Sequence, residues 1–425
     1  MAVRIHLTFC VLKSVRNKMT SCSCFKRNIR SLVTLNRDVN NTNKGEIRAR
    51  ILGIETSCDD TGAAVVNEKG EIIGNALHSQ TETTVSLGGV LPQYAKALHK
   101  KHIDTIVKDA LQKAQLHPKE LDAVAVTVEP GMPLSLEVGL SYAKQMVLEH
   151  GLPMIPIHHM EAHALTARMV EQIDFPFLVF LASGGHCLLA VARDVDDFLL
   201  LGNCTDCAPG DAFDKVARRL KLKTLPECTG KSGGAMIEHL SRCGNRDTFN
   251  APDVFFKKRS CNFSFHGIKS HYMRYILEEE SKQGIEGSGV ISNASDLCAS
   301  FQYAILRHMC RPLQRALVFC DNNNLLAETK TVVLSGGVAC NRYLRHGIEK
   351  VCVTHGARLV VPPPELCTDN GIMIAWNGIE KYLCGRGFVD DPQSVCYRNR
   401  SPLGTDITEE VTKAHIKVKL IDLGL

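Results

Sequence analysis

The sequence predicts an α/β protein built of two related lobes. Its 425 residues exceed the usual length of one domain, which is about 100 to 200 residues. A hairpin with a polar tip follows residue 50, and a similar hairpin with a glycine-rich tip follows residue 177. Stretches with helical periodicity alternate with short apolar strands between and after these hairpins, and this alternation is typical of α/β folds.

The composition excludes several classes of protein. With 44% hydrophobic and 22% charged residues, the chain differs from disordered, collagen-like and coiled-coil proteins. No stretch approaches the roughly 18 apolar residues that a membrane-spanning helix needs. The best run, from Phe175 to Ala182, is short and contains Pro176. We therefore expect a soluble protein without a membrane span.

The first 45 residues differ from the rest of the chain. Residues 1–45 hold nine basic residues and a single acid, Asp38, and are rich in Ser, Thr and Asn. They lack the continuous apolar segment of a secretory signal, so they predict a mitochondrial transit peptide, with a disordered basic tail as the alternative. The remaining 41 basic and 44 acidic residues give a net charge of −3, whereas the whole chain carries +5.

The 18 cysteines show no regular framework. In the reducing matrix that the leader predicts, most of them should be free thiols. A single Cys-x-x-Cys pair, Cys204 and Cys207, has no second pair at zinc spacing, which favours a structural role.

The predicted first lobe covers residues 46–174. Its opening runs, 51–54 and 63–66, flank a polar segment and predict a hairpin. The later elements predicted from periodicity are, in order, a helix at 103–114, a strand at 121–128, a helix at about 134–149 and a short strand at 154–157. This last strand brings the chain to His158 and His159.

The predicted second lobe covers residues 175–385, and a C-terminal tail covers 386–425. A strand at 177–182, a tight turn and a return strand at 187–192 repeat the opening hairpin. The later elements are a helix near 297–317, a strand with a glycine turn at 331–337 and an apolar helix at 372–382. The repeat indicates duplicated lobes that face a cleft.

Two Ser-Gly-Gly turns, 183–185 and 335–337, follow apolar strands. Glycine has no Cβ, so backbone N–H groups in such a turn can approach an anion closely. Either turn alone is better explained as an ordinary hairpin turn. The presence of two favours phosphate binding.

His159 and His163 are four residues apart in a helix predicted to begin near Met160, so their imidazoles share one face and could bind one metal ion. A thermolysin-like protease has Glu directly after its first His. Here Glu161 comes one residue later and points away from that face, which argues against a metallopeptidase. Asp369, just before the helix at 372–382, is a candidate third ligand, and a helix cap is the alternative.

Two pairs of acids are further candidates. Asp59 and Asp60, at the tip of the first hairpin, could hold a cation or accept a proton, or could be solvated turn residues. Asp211 and Asp214 flank the start of a predicted helix. Asp211 is interpreted as the helix cap and Asp214 as a nucleotide contact.

Taken together, these segments resemble the family of tRNA adenosine threonylcarbamoyltransferases. The resemblance extends from about residue 50 to residue 387. It is carried by seven ordered segments: 53–59, 158–163, 183–186, 213–215, 263–265, 335–338 and 367–371. With its leader, the chain resembles the mitochondrial branch. The resemblance implies the fold of the actin, sugar kinase and heat-shock ATPase superfamily, in which two related lobes surround a nucleotide cleft.

The resemblance also implies roles for particular residues. His159, His163 and Asp369 are expected to bind one divalent metal ion per subunit, and such a ligand set suits iron, zinc or manganese. The residues expected to bind the adenylate substrate are Leu181, Ala182, Ser183, Gly184, Gly185, Asp214, Gly234, Glu238, Ser335, Gly336 and Asn341. Asp59 is the hypothetical proton acceptor.

The family reaction moves a threonylcarbamoyl group from threonylcarbamoyl-adenylate to N6 of the adenosine 3′ of the anticodon, and AMP is released. The resemblance implies tRNA as the acceptor and a homodimer in the mitochondrial matrix. A metallopeptidase that uses the two histidines and an inactive nucleotide-binding partner protein are the alternatives. Candidate phosphate contacts on the RNA-binding surface are Lys96, Lys100, Lys101, Arg218, Arg219, Lys221, Lys257, Lys258 and Arg259.

Overall fold

The computed structural model describes residues 49–87, 89–251 and 258–424. The predicted transit peptide, residues 1–45, lies outside these residues, and so does Lys257. Within the described residues, two mixed β-sheets alternate with helices along the chain. No described helix has the length and apolar character needed to cross a bilayer.

The first sheet has the strand order β3-β2-β1-β4-β5. Its strands are β1 (Arg50–Glu55), β2 (Asp60–Asn67), β3 (Ile72–Ser79), β4 (Ala123–Glu129) and β5 (Met154–His158). Strand β2 pairs antiparallel with both β1 and β3. Strands β4 and β5 continue the sheet on the other side and run parallel to β1. The residues of β4 are almost all buried, as expected for a strand that helices cover on both faces.

The second sheet repeats this arrangement. Its strands are β6 (Phe177–Ala182), β7 (Cys187–Asp194), β8 (Asp197–Asn203), β9 (Thr331–Ser335), β10 (Arg358–Val360) and β11 (Thr405–Asp406). The order β8-β7-β6-β9-β10 again joins three antiparallel strands to two parallel ones, and β11 adds to the outer edge of β8. The repeat confirms the predicted α/β class with two related lobes.

The helices of the described residues lie on both faces of these sheets. They are α1 (Thr81–Leu87), α2 (Pro92–Ala114), α3 (Pro133–His150), α4 (His159–Val170), α5 (Pro209–Arg219), α6 (Gly233–Ser241), α7 (His266–Gln283), α8 (Ala294–Asn323), α9 (Arg342–Thr354), α10 (Pro364–Cys367), α11 (Gly371–Leu383) and α12 (Thr408–Lys413). Helices α2 and α3 share an apolar core with one face of the first sheet. Helices α5 to α9 share a core with the outer face of the second sheet.

Helices α4 and α11 lie between the sheets. One apolar core joins their buried side chains to Ile51 and Ala125 of the first sheet and to Val179 and Val333 of the second. Helix α11 contacts β1, β2 and β4, although it follows the second sheet in the chain. The two sheets are therefore joined through this shared core. The predicted boundary between the lobes, at residues 174 and 175, stays a prediction.

Glycine allows α11 to approach the first sheet closely. A Cβ on Gly53 of β1 would lie 2.2 Å from the backbone nitrogen of Ala375, and one on Gly371 would lie 2.6 Å from the Cα of Ala63. Real Cβ atoms do not approach backbone atoms so closely, so larger residues would force the helix away. This contact holds the start of α11, and the loop before it, against the end of β1.

The structure excludes the alternative that Asp369 caps a helix and corrects the interpretation of Asp211 as a cap. Asn370, not Asp369, caps α11, because its side chain accepts a hydrogen bond of 2.9 Å from the backbone N–H of Met373. Helix α5 begins earlier than predicted, at Pro209, and Asp211 lies in its first turn, where its carboxylate pairs with Lys215. Asp369 therefore has no capping role.

Candidate functional site

A possible metal site lies where α4 meets the loop before α11. Nε2 of His163 lies 3.1 Å from Oδ1 of Asp369, and Nε2 of His159 lies 3.5 Å from the same oxygen. The two imidazole rings are nearly perpendicular, with centroids 4.7 Å apart. One ligand atom from each of the three residues lies within 4.8 Å of the others. Two imidazole nitrogens and a carboxylate that converge in this way suit a transition metal ion.

Glu161 lies away from this group, as its position in the helix predicts. Its carboxylate pairs with Lys381 of α11 at 2.7 Å, and both side chains are largely buried. It therefore has a structural ion pair and does not point to the histidines. This geometry agrees with the sequence argument against a thermolysin-like protease.

Glu55, at the end of β1, supports His159 from the other side of the ring. Its Oε2 lies 3.2 Å from Nδ1 of His159, and the hydroxyl of Thr127 donates to the same carboxylate oxygen. Oγ of Ser57 also lies 3.2 Å from Nδ1 of His159. A carboxylate on the far nitrogen of a histidine fixes the ring orientation and leaves Nε2 free for a metal.

Glu55 lies in one of the seven family segments, but no role for it was predicted from the sequence. A signal was present, because Glu55 is an acidic residue that ends a buried strand, directly before the acidic hairpin tip. Its contact with His159 depends on the parallel pairing of β1, β4 and β5, which sets the ends of these strands side by side.

Two carboxylates control the charge of His159. Burial lowers the pKa of His159, but the nearby charges of Glu55 and Asp369 outweigh that effect and raise the pKa to about 9. Burial opposes ionisation of Asp369, yet His159 and His163 lower the pKa of Asp369 overall. His186 is different, because burial lowers its pKa to about 4 and keeps it neutral at pH 7.

The two Ser-Gly-Gly turns meet at neighbouring strand ends. Strands β6 and β9 are parallel, with Leu181 opposite Ser335. Gly336 has a φ of +94°, and a Cβ there would lie 2.5 Å from the carbonyl oxygen of Ala182. Only glycine meets both demands without strain. The first turn is closed by a hydrogen bond of 2.8 Å from Ser183 N–H to the carbonyl oxygen of His186.

The glycines at the tip of the first turn leave open space beside the backbone. A Cβ on Gly184 or Gly185 would meet no atom within 4 Å of it. Helix α5 approaches this turn closely, since a Cβ on Gly210 would lie 2.8 Å from the Cα of Gly184. The open side of the turn is therefore accessible to a ligand.

The other predicted adenylate contacts lie on elements of the second lobe that adjoin these turns. Asp214 of α5 touches the start of α6, where a Cβ on Gly233 would lie 2.3 Å from its Oδ1, and Gly234 is the next residue. Glu238 accepts a hydrogen bond of 2.9 Å from the N–H of Arg342. Asn341 caps α9 through its Oδ1 and donates from Nδ2 to Gln302 at 2.8 Å.

A cavity of about 680 Å³ opens beside Glu238. It lies between the end of α6, helix α8 and the start of α9. Its polar lining, which the sequence did not predict, includes Ser241, Arg242, Asn245, Arg246, Gln302, Arg342 and Tyr343. Because Gln302 also bonds to Asn341, this cavity is continuous with the group of predicted adenylate contacts.

The two acids of the first hairpin differ in their surroundings. The carboxylate of Asp59 accepts a hydrogen bond of 3.1 Å from Thr84. Burial raises the pKa of Asp60 to about 7, and the charges of Asp59 and Asp369 add to the effect. Oδ1 of Asp60 is buried without a hydrogen-bond partner. The sequence offered both acids as proton acceptors and the hypothesis chose Asp59; the raised pKa of Asp60, which burial causes, cannot be seen in a turn sequence.

The remaining candidates are mostly engaged elsewhere. Sγ of Cys204 donates to the carbonyl oxygen of Cys207, and every described cysteine is a free thiol. Lys96 pairs with Glu137, whereas Arg219 and Lys221 both pair with Glu280. The candidate RNA contacts that remain exposed among the described residues are Lys100, Lys101, Arg218 and Lys258. Arg259 is partly buried and donates to the carbonyl oxygen of His415.

Comparison with known proteins gives consistent matches. Residues 71–376 match the family model of tRNA N6-adenosine threonylcarbamoyltransferase. The mitochondrial protein of that name from Rattus norvegicus is 49% identical over 376 residues, which cover 88% of this chain and 91% of the relative. The Homo sapiens and Danio rerio proteins of the same name are 48% and 47% identical, with 88% of this chain covered in both cases and 91% and 93% of the relatives.

Solved structures with a similar chain path are more distant. Full-length HypF in a phosphate- and nucleotide-bound form is 17% identical, with a TM-score of 0.47, over 81% of this chain and 57% of HypF. A ROK hexokinase from Thermus thermophilus is 12% identical, with a TM-score of 0.41, over 79% of this chain and 99% of the hexokinase.

Proposed function

Because the chain belongs to the tRNA N6-adenosine threonylcarbamoyltransferase family, we propose that it uses threonylcarbamoyl-adenylate to modify the adenosine 3′ of the anticodon and that it releases AMP. The protein is an acyltransferase that modifies tRNA. The metallopeptidase and the inactive binding protein are not favoured. The single observation that carries the proposal is the convergence of His159, His163 and Asp369. Their facing donor atoms could hold the metal ion that the family resemblance implies.

The donor is proposed to bind along the second lobe. Backbone N–H groups of Gly184 and Gly185 would hold the phosphate, since these glycines leave open space there. The ribose would contact Asp214 and Glu238, and the base would enter the adjoining cavity of about 680 Å³. Leu181, Ala182, Ser335 and Gly336 shape the floor of this site through the close contact of β6 and β9.

The donor atoms of His159, His163 and Asp369 fit one divalent cation, whether iron, zinc or manganese. When bound, such an ion supplies positive charge that polarises the donor and balances its phosphate. Glu55 and Thr127 hold His159 in the orientation that this ligand set needs.

The acceptor is a weak nucleophile, because its nitrogen lone pair is delocalised into the adenine ring. As the bond from N6 to the carbamoyl carbon forms, the bond from that carbon to the phosphate oxygen breaks, and N6 loses a proton. We assign that proton to the carboxylate of Asp59, which is half-buried and held by Thr84. Asp59→Asn should keep its metal ion and slow transfer by about 100-fold or more; full transfer by this variant would exclude the assignment.

The chain is assigned to the mitochondrion because its named relatives are mitochondrial. Delivery to the matrix by residues 1–45 and assembly as a homodimer are further parts of the proposal. They are supported by the basic composition of the leader and by the resemblance to the mitochondrial branch.

The reaction is tested with the purified protein, anticodon stem–loop RNA and threonylcarbamoyl-adenylate labelled in its threonine. Label should appear on N6 of a single adenosine, in an amount equal to the AMP formed. Label in water-soluble hydrolysis products alone, with no labelled RNA, would contradict the proposal. Cleavage of a protein substrate by the same sample would support the metallopeptidase instead.

A further inference from the structure

A segment of the C-terminal tail crosses the carboxyl ends of β4 and β5. We call residues 393–401 the strap. The ammonium group of Lys144 donates to the carbonyl oxygens of Gln393 and Val395, at 2.9 and 2.7 Å. The backbone N–H of Arg398 donates to the carbonyl oxygen of Val128 at 2.9 Å. The strap is thus held mainly through its backbone, which leaves its side chains available.

Most side chains of the strap are exposed, whereas Val395 packs against the apolar core of the first sheet. All residues from Cys396 to Arg400 are exposed. The side chain of Arg398 is 72% exposed and lies 3.5 Å from the carboxylate of Glu129. Arg400 makes no ion pair with any described residue. A short exposed segment therefore presents one aromatic ring, Tyr397, and two guanidinium groups.

The strap lies close to the candidate metal site. Glu129 begins a short loop whose Met132 N–H donates to the carbonyl oxygen of Ser57 at 2.8 Å. A Cβ on Gly131 of that loop would lie 2.8 Å from the same oxygen, so loop and hairpin tip are in direct contact. Oγ of Ser57 in turn reaches His159. The strap is therefore linked to the candidate metal site through this loop, at the carboxyl end of β4.

These groups have the chemistry of a contact for single-stranded RNA. Guanidinium groups bind phosphates, and an exposed aromatic ring can stack on an unpaired base. Because residues 46–425 carry a net charge of −3, an RNA ligand must be attracted by local positive charge. We propose that the strap binds the anticodon loop of the substrate tRNA, with Arg398 and Arg400 on phosphates and Tyr397 on a base. This inference deepens the proposed function and rests on it.

The test measures the Kd of an anticodon stem–loop at several salt concentrations. Arg398→Glu with Arg400→Glu should weaken RNA binding by at least about tenfold and lower the salt slope by about one for each phosphate that the variant no longer binds. A matched control reverses two exposed lysines away from the strap: Lys113, at the end of α2, which donates to the carbonyl oxygen of Asn75, and Lys119, in the turn before the amino end of β4. That control should change the Kd by less than about twofold, because it alters only distant charge.

Further variants separate RNA contact from a structural role. Glu129→Gln breaks the pair with Arg398 and should leave RNA binding equal or stronger, whereas weaker binding would indicate that the pair is structural. Tyr397→Phe should retain the RNA affinity that Tyr397→Ala loses. If the variant with Arg398→Glu and Arg400→Glu is less stable than the wild type in thermal unfolding, the variant with Arg398→Gln and Arg400→Gln replaces it in the RNA-binding measurement.

Binding of AMP to each variant shows that the donor site is intact. Unchanged Kd and salt slope in the variants of Arg398 and Arg400 would overturn the proposal. It would also be overturned if these variants became monomeric but bound the RNA as tightly as the wild type. A wild-type protein that binds the RNA but transfers no group would contradict the proposed function alone. The two failures can therefore be told apart.

Discussion

Oε2 of Glu55 lies 3.2 Å from Nδ1 of His159, so a carboxylate at the end of the first strand orients a candidate metal ligand 104 residues further along the chain. Glu55 is buried and also bonds to Thr127 and to the backbone of Ser57. These contacts fix the carboxylate, and the carboxylate in turn fixes the ring.

Glu55→Gln should weaken metal binding, because the amide cannot orient or charge-stabilise His159 as the carboxylate does. Loss of such a partner typically costs about 10- to 100-fold in metal affinity. The measurement is competition with a chelator, followed by metal analysis of the protein. Glu161→Gln is the control on the opposite side of α4 and should keep its metal, even if loss of the Lys381 pair lowers stability. Equal affinity of wild type and Glu55→Gln would refute the orienting role.

Metal affinity should depend on pH through His159. Glu55 and Asp369 raise the pKa of His159 to about 9, so a metal ion must displace a proton at neutral pH. The apparent association constant should rise about tenfold per pH unit up to about 9 and then level off. In Glu55→Gln the levelling should occur at lower pH. A flat titration between pH 7 and 9 would contradict the assignment.

Asp60 should make the metal-free protein less stable as the pH rises. Burial raises its pKa to about 7, above the ordinary value, so the folded state holds the proton more tightly than the unfolded state. This contribution to stability is fully present below about pH 4 and is lost as the pH rises through 7. Asp60→Asn should remove this part of the pH dependence in urea unfolding. An unchanged stability curve would show that Asp60 has an ordinary pKa.

Gly336→Ala should destabilise the protein and weaken donor binding. Its φ of +94° and the contact of 2.5 Å between a Cβ and the carbonyl oxygen of Ala182 predict a cost of about 1–3 kcal/mol in the free energy of unfolding. Gly337→Ala is the matched control, because its Cβ would meet no atom within 4 Å and its φ is not positive. Urea unfolding and AMP binding should separate the two variants. Equal behaviour would show that the turn tolerates a side chain.

Some of the site follows from local sequence and some does not. The spacing of His159 and His163 predicts that both side chains lie on one face of a helix, and the structure places both residues on α4. The approach of Asp369, 206 residues after His163, depends on α11 crossing back to the first sheet. The sequence offered Asp369 as a candidate ligand or a helix cap, and the family resemblance favoured the ligand. The contact of Glu55 likewise needs strand pairing that no local pattern shows.

The errors have physical causes. Asp369 was a possible cap because Asp commonly caps helices, but the next residue, Asn370, takes that role. Asp211 was interpreted as a cap for the same reason, but the helix begins two residues earlier, at Pro209, and proline is favoured in the first turn of a helix. Both predicted hairpins form, as β1 with β2 and β6 with β7, whereas the full strand order of the two sheets was not predicted from the sequence.

The most direct test of the account is single-turnover transfer by the wild type and by Asp369→Asn, with metal content measured on the same samples. The wild type should contain metal and move labelled threonylcarbamoyl to N6 of one adenosine in the stem–loop. Asp369→Asn should lose metal and transfer together, while it still binds AMP and RNA. Transfer by Asp369→Asn at the wild-type rate, or none by metal-loaded wild type, would contradict the account.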